Sequence, residues 1–292
     1  MDDEPVAYHL VVRAMESRAG MDSRTRFALS IRHAVDGHLP HLRYREAAAA
    51  RRRDGAGPGS IERSVADWIA TDLNPAVRAI SSLRVRGNAI WGYNSYNQHV
   101  HLAVRTSVDE SAASTGPAAA SVRREHRTEA VVPELCGVGS IAVLERLLGR
   151  VARNGPRADA APPGLLGVGR LLGVEGSASF HVAEALAGRD RVDLDEVARR
   201  LGASRRSIQR RLAEESTSFE AIRGAARMVA ATDALRSDIP LAEVAWRCGF
   251  SDLPHMSRAI KAACGMTPGL LRAILLGGAQ PEALPPSEGF PG

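Results

Sequence analysis

Leu194-Asp-Glu-Val-Ala-Arg-Arg-Leu-Gly-Ala-Ser204 and, 47 residues later, Leu241-Ala-Glu-Val-Ala-Trp-Arg-Cys-Gly-Phe-Ser251 are two versions of one segment, identical at seven of eleven positions. Repetition at that level marks a duplicated structural unit. In the first version Leu194, Val197, Ala198 and Leu201 fall at helical spacing on one face. Gly202 ends that helix, because a left-handed residue there costs glycine little. Ser204 caps a second helix by accepting from first-turn amides, and Ile208 and Leu212, four apart, turn inward. The unit is a helix-turn-helix. The second version adds one residue at the turn. Leu241, Val244, Ala245 and Cys248 form its first helix, Gly249 ends it, Ser251 or Asp252 caps the next, and Met256 and Ile260 pack inward. Pro254 is tolerated there because first-turn amides lack intrahelical partners. Gly265 ends this helix and Pro268 prevents its resumption. A longer helix joins the units, from the capping-box spacing of Thr217-Ser218-Phe219-Glu220 to about Leu235. Phe219, Ile222, Ala226 and Val229 supply its apolar side, and Gly224 weakens it.

If Ile208 and Leu212 face inward, steps of about 100° per residue turn Arg206, Gln209, Arg210 and Ala213 outward. Arg205 and Arg211 lie at the flanks, suited to phosphates. Four arginines fall within Arg205 to Arg211, with no acid before Glu214. Arginine forks to guanine and glutamine pairs with adenine, so this face fits a DNA major groove. In the second unit the same construction exposes Pro254, Ser257, Arg258 and Lys261. That surface is less basic and is expected to add affinity more than discrimination. Ser204 at the first cap, Arg205, Arg206, Gln209, Arg210, Arg211, Pro254, Ser257, Arg258 and Lys261 are the ten candidate DNA contacts. The competing reading is a helical bundle whose arginines merely face water.

The stretch from about Val192 to Arg272 resembles the DNA-binding domain of AraC/XylS-type transcriptional regulators. The resemblance is carried by Ala203-Ser204-Arg-Arg-Ser-Ile-Gln-Arg-Arg-Leu212, Thr217-Ser-Phe219 and Arg227. It continues through Glu243-Val-Ala245, Gly249-Phe250-Ser251-Asp252, His255, Ser257-Arg258, Lys261 and Gly265-Met-Thr-Pro268. It implies two helix-turn-helix units, held by a linker helix, entering successive major-groove segments of double-stranded promoter or operator DNA. It further implies a bacterial, cytoplasmic, non-enzymatic regulator, an activator working with RNA polymerase. An N-terminal region that senses a small-molecule effector or forms a homodimer is also implied. Met256, Ile260 and Cys264 stand where the family usually carries large aromatics, and Leu253-Pro254 is an unusual helix start.

The chain has 292 residues, room for about two domains, with 45% hydrophobic and 24% charged residues and a formal net charge of +5. Of 38 basic residues only Lys261 is lysine. Arginine suits phosphates and guanines, but a GC-rich coding sequence, to which the many Ala, Gly and Pro residues point, produces the same bias. Location decides the matter: residues 190 to 275 hold 14 basic and 11 acidic groups, so the helix at Arg205 to Arg211 is the signal and overall basicity is not. No uncharged apolar run approaches membrane-spanning length, so no membrane partner is expected. Met1-Asp2-Asp3-Glu4 is acidic where a secretory signal is basic. Cys136, Cys248 and Cys264 are too few and too scattered for a disulfide framework or a zinc site.

The expected fold class is mainly α: an all-α double helix-turn-helix domain at 189–275, preceded by a mixed α/β region. Residues 1–130 form the sensing or dimerisation domain, 131–188 a helical connector, and 276–292 a disordered tail. Linkers are read at Ala47 to Ser60, Ser107 to Ala130 and Arg153 to Gly164, from their Gly, Pro and charge clusters. Val6 to Arg13 and Phe27 to Val35 read as strands, and Ile61 to Leu83 as one amphipathic helix. Ala89 to Tyr93 and His99 to Arg105 read as a hairpin about Asn94-Ser95-Tyr96-Asn97-Gln98. Ile141 to Arg153 reads as a helix.

No cofactor is expected, and no catalytic or metal residue is assigned. Gly167-Val-Gly169-Arg-Leu-Leu-Gly173 has the glycines of a dinucleotide loop but is one residue too long and follows no strand. His99 and His101 on one strand face, with His38 or His41, would define a metal-dependent N-terminal domain; solvated histidines are the plainer reading. A DNA reader with a ligand-free interaction domain is the third alternative.

Overall fold

The computed structural model describes residues 6–17, 21–100, 102–109, 122–127, 134–153, 162–188 and 192–277. The protein is mainly α, with a helical C-terminal region and a mixed α/β N-terminal region. The strand β1 (Val6–Tyr8) pairs antiparallel with β2 (His38–Pro40), Ala7 opposite Leu39. Around this ladder lie α1 (His9–Glu16), α2 (Ser23–Val35), α3 (His41–Arg53), α4 (Pro58–Ala70), α5 (Pro75–Ser81) and α6 (Arg86–His99). A second antiparallel ladder joins β3 (Val104–Val108) to β4 (Val122–His126), and α7 (Glu134–Arg153) packs on α4.

Several expectations for this region are corrected. Only Val6–Tyr8 of the first expected strand is extended. His9–Glu16 is a helix buried nearly all round, so its apolar run carries no face to distinguish helix from strand. Phe27 to Val35 lies within α2. Phe27, Ile31 and Ala34 are buried at helical spacing, and Asp22 caps the helix by accepting from the amides of Arg24 (2.9 Å) and Thr25 (3.2 Å). The segment Ile61 to Leu83 is two helices. Asn74-Pro75 breaks it, since proline forces the preceding residue out of the helical region; Asn74 is extended and Pro75 starts α5. The expected linker at Ala47 to Ser60 shrinks to a turn between Arg53 and Pro58, with Gly55 at φ +70°.

The expected hairpin at Asn94–Gln98 is the interior of α6. Its asparagines are turn formers by type, but here their amides act as strand partners. Asn94 accepts from the Val108 amide and donates to the Val108 carbonyl, both at 2.9 Å, and Asn97 accepts from the Thr106 amide at 3.1 Å. His99 ends the helix, with Nδ1 2.8 Å from the Ser95 carbonyl; His101 lies outside the described residues, so no two-imidazole strand face is formed from them. Part of the expected linker after Ser107 is β4, and residues 110–121 lie outside the described set. So do the interior of the linker after Arg153 and all but the first residues of the tail, 278–292.

The C-terminal helices are α8 (Leu165–Leu171), α9 (Ala178–Leu186), α10 (Leu194–Arg200), α11 (Arg205–Glu214), α12 (Phe219–Ala234), α13 (Leu241–Arg247), α14 (Leu253–Cys264) and α15 (Pro268–Leu275). The glycines in α8 serve packing. A Cβ on Gly169 would lie 2.4 Å from the Phe180 ring, so glycine lets α8 close onto α9. The long helix α12 runs unbroken through Gly224, where an added Cβ would lie 3.1 Å from Val35 of α2. Gly224 therefore marks a close helix crossing, at the usual propensity cost of about 1 kcal/mol. The cap of α12 is Ser218, accepting from the Ala221 amide at 3.2 Å; Glu220 pairs with Arg223 and completes no capping box.

Among the described residues two hydrophobic cores result. One gathers α2 with α8 to α12, through Phe27, Ile31, Phe180, Val197, Leu212 and Ile222. The other joins the rest of the N-terminal region to α13, α14 and α15, through Leu10, Ile80, Tyr96, Val244, Ile260 and Ile274. Helix α12 serves both, giving Ile222 and Val229 to the first and Met228 and Ala231 to the second.

Between the cores sits a buried polar cluster. Asn74 donates to the carbonyls of His33 (2.8 Å) and Ala263 (2.7 Å) and accepts from Tyr8 Oη (3.1 Å) and the Ala76 amide (3.0 Å). Asp72 receives the Asn74 amide (2.7 Å) and bonds His9 Nε2 (2.6 Å). Arg13 Nε donates to His33 Nε2 (2.9 Å), so His33 must be neutral and donate from Nδ1 to the Asp36 carbonyl at 3.0 Å. Burial, reinforced by neighbouring His9, pushes the His33 pKa down to about 2; burial and His9 lower His38 to about 4.

Replacing Asn74 by Ala leaves two buried carbonyls and a tyrosine hydroxyl unpaired, and should destabilise the protein by about 2–4 kcal/mol in urea titrations. A loss under about 0.5 kcal/mol would discount the cluster as a structural tie. Both histidines bind a proton more readily unfolded than folded, near pH 6.5 in the unfolded chain. Stability is therefore full above about pH 6.5 and falls on acidification, by about 1.4 kcal/mol per pH unit for each histidine; His38 stops contributing near pH 4. Denaturation at stepped pH should show this slope, and His33→Gln should flatten it.

Candidate nucleic-acid interface

Each copy of the repeat folds as a helix, a tight turn and a second helix. In the first, the Ala203 amide donates to the Ala198 carbonyl (3.0 Å) and Gly202 to Arg199 (3.3 Å). In the second, Phe250 donates to Ala245 (3.0 Å) and Gly249 to Trp246 (3.2 Å). These are the paired bonds that close a helix through a left-handed residue; Gly202 stands at φ +59° and Gly249 at +75°. The seven identities of the repeat thus encode the same turn twice.

Helix α11 is capped by Ser204, whose Oγ accepts from the Ser207 amide at 3.2 Å. Ile208 and Leu212 are buried against α9 and α10, as the periodicity requires. Arg205, Arg206, Gln209, Arg210 and Arg211 are exposed on the other side, with Ala213. Arg205 meets Asp195 of α10 at 3.0 Å, and Arg210 approaches Glu214 at 3.8 Å. All four side chains are more than half exposed, so these pairs hold their arginines weakly, by less than about 1 kcal/mol. The result is an arginine-rich helical face with a glutamine at its centre.

On α14 the cap is Asp252 rather than Ser251. Its carboxylate accepts from the His255 amide at 2.6 Å, and that bond holds its pKa below the usual carboxylate range. Ser251 instead bonds Asp252 (3.2 Å) and contacts His255 Nδ1 (3.1 Å). Pro254, Arg258 and Lys261 are exposed, Ser257 is half-buried, and Met256 and Ile260 are fully buried. Gly265 ends the helix at φ +72°, and a new helix, α15, begins at Pro268 with Thr267 as its cap. The ten sequence-selected residues therefore fall on α11 with its cap and on α14, two helices that are built alike.

Glu215 was not legible in the sequence as a site residue. Just past α11, its carboxylate accepts from the amides of Ala178 (2.8 Å) and Ser179 (2.9 Å) at the start of α9. This locks the end of α11 onto α9 and satisfies amides that have no partner within the helix. No local pattern announces it, because the partners are 36 and 37 residues away. Trp246, at the position that Arg199 holds in the first copy, is 64% exposed. Among the described residues no group of three or more His, Cys, Asp or Glu is gathered as a metal site needs, and no helix is long and apolar enough to cross a membrane. The three cysteines are buried and are not joined in disulfides.

Residues 197–274 match the family described as a helix-turn-helix domain. That segment contains both turns and most of both helix pairs. Over 74 residues the chain is 39% identical to uncharacterized HTH-type transcriptional regulators of Mycobacterium bovis and Mycobacterium tuberculosis. The match covers 25% of this chain, which spans 22% of the length of each of these relatives. Among solved structures, a DNA-binding transcriptional dual regulator from Escherichia coli K-12 aligns with 21% identity over 33% of this chain and 95% of its own, at a TM-score of 0.32. The transcriptional regulator CdpR from Pseudomonas aeruginosa aligns with 17% identity over 88% of this chain and 99% of its own, at a TM-score of 0.30. This chain carries a helix-turn-helix domain.

The two sides of α11 should respond differently to substitution. Leu212→Ala opens a cavity beneath the helix and should cost about 2–5 kcal/mol of stability in thermal or urea unfolding. Arg206→Ala and Arg210→Ala should stay within about 0.5 kcal/mol of wild type. Comparable losses on both sides would mean that the arginine face is packed rather than free.

Proposed function

We propose that the protein is a sequence-specific DNA-binding transcriptional regulator of the AraC/XylS type. The observation that carries this reading is the face of α11, where Arg206, Gln209 and Arg210 project from a rigid, capped helix anchored by Ile208, Leu212 and Glu215. In this reading Arg206, Gln209 and Arg210 read base edges, and Ser204, Arg205 and Arg211 contact phosphates. The second pair enters the next major-groove segment through Pro254, Ser257, Arg258 and Lys261. Its smaller basic surface favours affinity over discrimination. The names of the mycobacterial relatives, as HTH-type transcriptional regulators, point the same way.

The protein acts in the cytoplasm of a bacterium, as an activator that works beside RNA polymerase at a promoter. The first region, 1–130, serves effector sensing or homodimerisation, 131–188 connects, and 189–275 reads DNA. Support for control by the first region is physical. The second pair shares its core with the N-terminal helices, and Asn74 bonds directly to the α14 backbone. A change in the N-terminal region therefore has a short route to one of the two DNA-reading helices.

Arg206→Ala or Arg210→Ala should weaken binding to a selected operator by about 1–3 kcal/mol and relax base choice at the contacted position. Arg211→Ala should instead weaken all sequences alike and lower the slope of log affinity against log salt by about 1. Fluorescence anisotropy against operator and scrambled duplexes over a salt series separates the two patterns. Unchanged binding in all three variants overturns the assignment.

A further inference from the structure

An apolar pocket lies between α1, α5, α6 and α7, beneath the edge of β3. Its volume is about 60 Å3, and Val11, Val77, Ile80, Leu102, Val143 and Leu147 form much of its wall. His41, the first residue of α3, lines it as well and is 4% exposed, and its Nε2 has no hydrogen-bond partner. Several other polar side chains around the space already have partners. Tyr44 donates to the Cys136 carbonyl (2.6 Å), Ser140 to the same carbonyl (3.1 Å), and Tyr8 to Asn74. Asn97 is held between the Tyr93 carbonyl and the Thr106 amide.

We infer that this cavity binds a small neutral molecule with an apolar body and one hydrogen-bonding head that pairs with His41 Nε2. His41 Nε2 is the buried lining atom without a partner, while most of the wall is hydrocarbon, which an apolar body satisfies better than a water that needs two to four polar partners. An unpaired imidazole nitrogen held out of water is costly, so its bond is the orienting contact. A charged ligand is excluded by the absence of a counter-charge among the cavity-lining residues. Burial, with Arg45 and His126 nearby, also disfavours protonated His41. Size narrows the class further. A cavity of roughly 150 Å3 takes benzene, so this one takes a body of a few heavy atoms, such as a short-chain amide or alcohol.

The same wall leads to the DNA-reading part. Tyr8 faces the cavity and its hydroxyl rests on Asn74, whose amide holds the Ala263 carbonyl of α14. A ligand that shifts Tyr8 therefore acts on α14 through two hydrogen bonds. This second step rests on the function proposed above; the binding step does not.

The test uses the full 15N-labelled chain, titrated with propionamide and with isopropanol while the imidazole nitrogens are followed by NMR. A saturable shift of the His41 signals is expected with at least one probe, with affinity at least tenfold lower in His41→Phe and lost in Ala76→Leu, which fills the space. If either variant melts early, His41→Asn, which keeps a polar head, should retain part of the binding. No saturable shift with either probe, or equal binding by His41→Phe, overturns the site. At saturating probe, operator affinity should change severalfold in wild type and stay constant in Tyr8→Phe, which keeps the ring and the pocket. Binding without any change in operator affinity overturns the coupling alone. Failure to bind any DNA counts against the proposed function and leaves the pocket standing on the NMR result.

Discussion

The side chain of Asn74 is fully buried, and every hydrogen-bonding position on its amide is used. Both Nδ2 protons go to backbone carbonyls, one on α2 and one on α14; Oδ1 takes the Tyr8 hydroxyl and the amide that opens α5. A saturated amide of this kind tolerates little displacement of its partners, because each is also buried and has no water to turn to. Four elements distant in sequence are thereby held to one geometry. Gly37 completes the junction, since a Cβ there would lie 2.3 Å from both the Ala263 carbonyl oxygen and Asn74 Nδ2. Arg78 makes a parallel tie one turn along α5, donating to Asp233 of α12 (2.7 Å) and to the Pro163 carbonyl before α8 (2.6 Å).

This junction makes the two copies of the repeat unequal. The first pair rests on α8, α9 and α2, with its own core and its own lock at Glu215. The second pair completes the core of the N-terminal region. Sequence differences between the copies follow the difference in surroundings. Leu201 becomes buried Cys248, and Ala203 becomes Phe250, 4% exposed and set edge-on to His255. The outward face changes as well, from four arginines within seven residues to Arg258 and Lys261. One copy keeps a dense basic surface, while the other has adapted its inner side to a larger partner.

The helical reading of 189–275 was available from the sequence because its helices are half-exposed. Their apolar residues recur at helical spacing, all but α13 begin at a Ser, Asp or Thr cap, and a left-handed glycine follows α10, α13, α14 and α15. The N-terminal region lacked such contrast. Helix α1 is buried on nearly every side, so its residues carry no period, and α6 buries asparagines whose partners are the edge of β3. Asn74-Pro75 was the signal for the break between α4 and α5, and it was outweighed by the apolar spacing that continues across it.

By itself the sequence determined the duplicated unit, its turns, and the outward set Arg205, Arg206, Gln209, Arg210 and Arg211, because these depend on contacts within a dozen residues and on helical period. Tertiary structure alone decided what holds those helices in place. The carboxylate of Glu215 on α9 and the amide of Asn74 on α14 join segments 36 or more residues apart, and burial leaves His41 Nε2 unpaired. A side chain's local sequence states its chemistry, but only the folded chain brings its partner within 3 Å or leaves it without one.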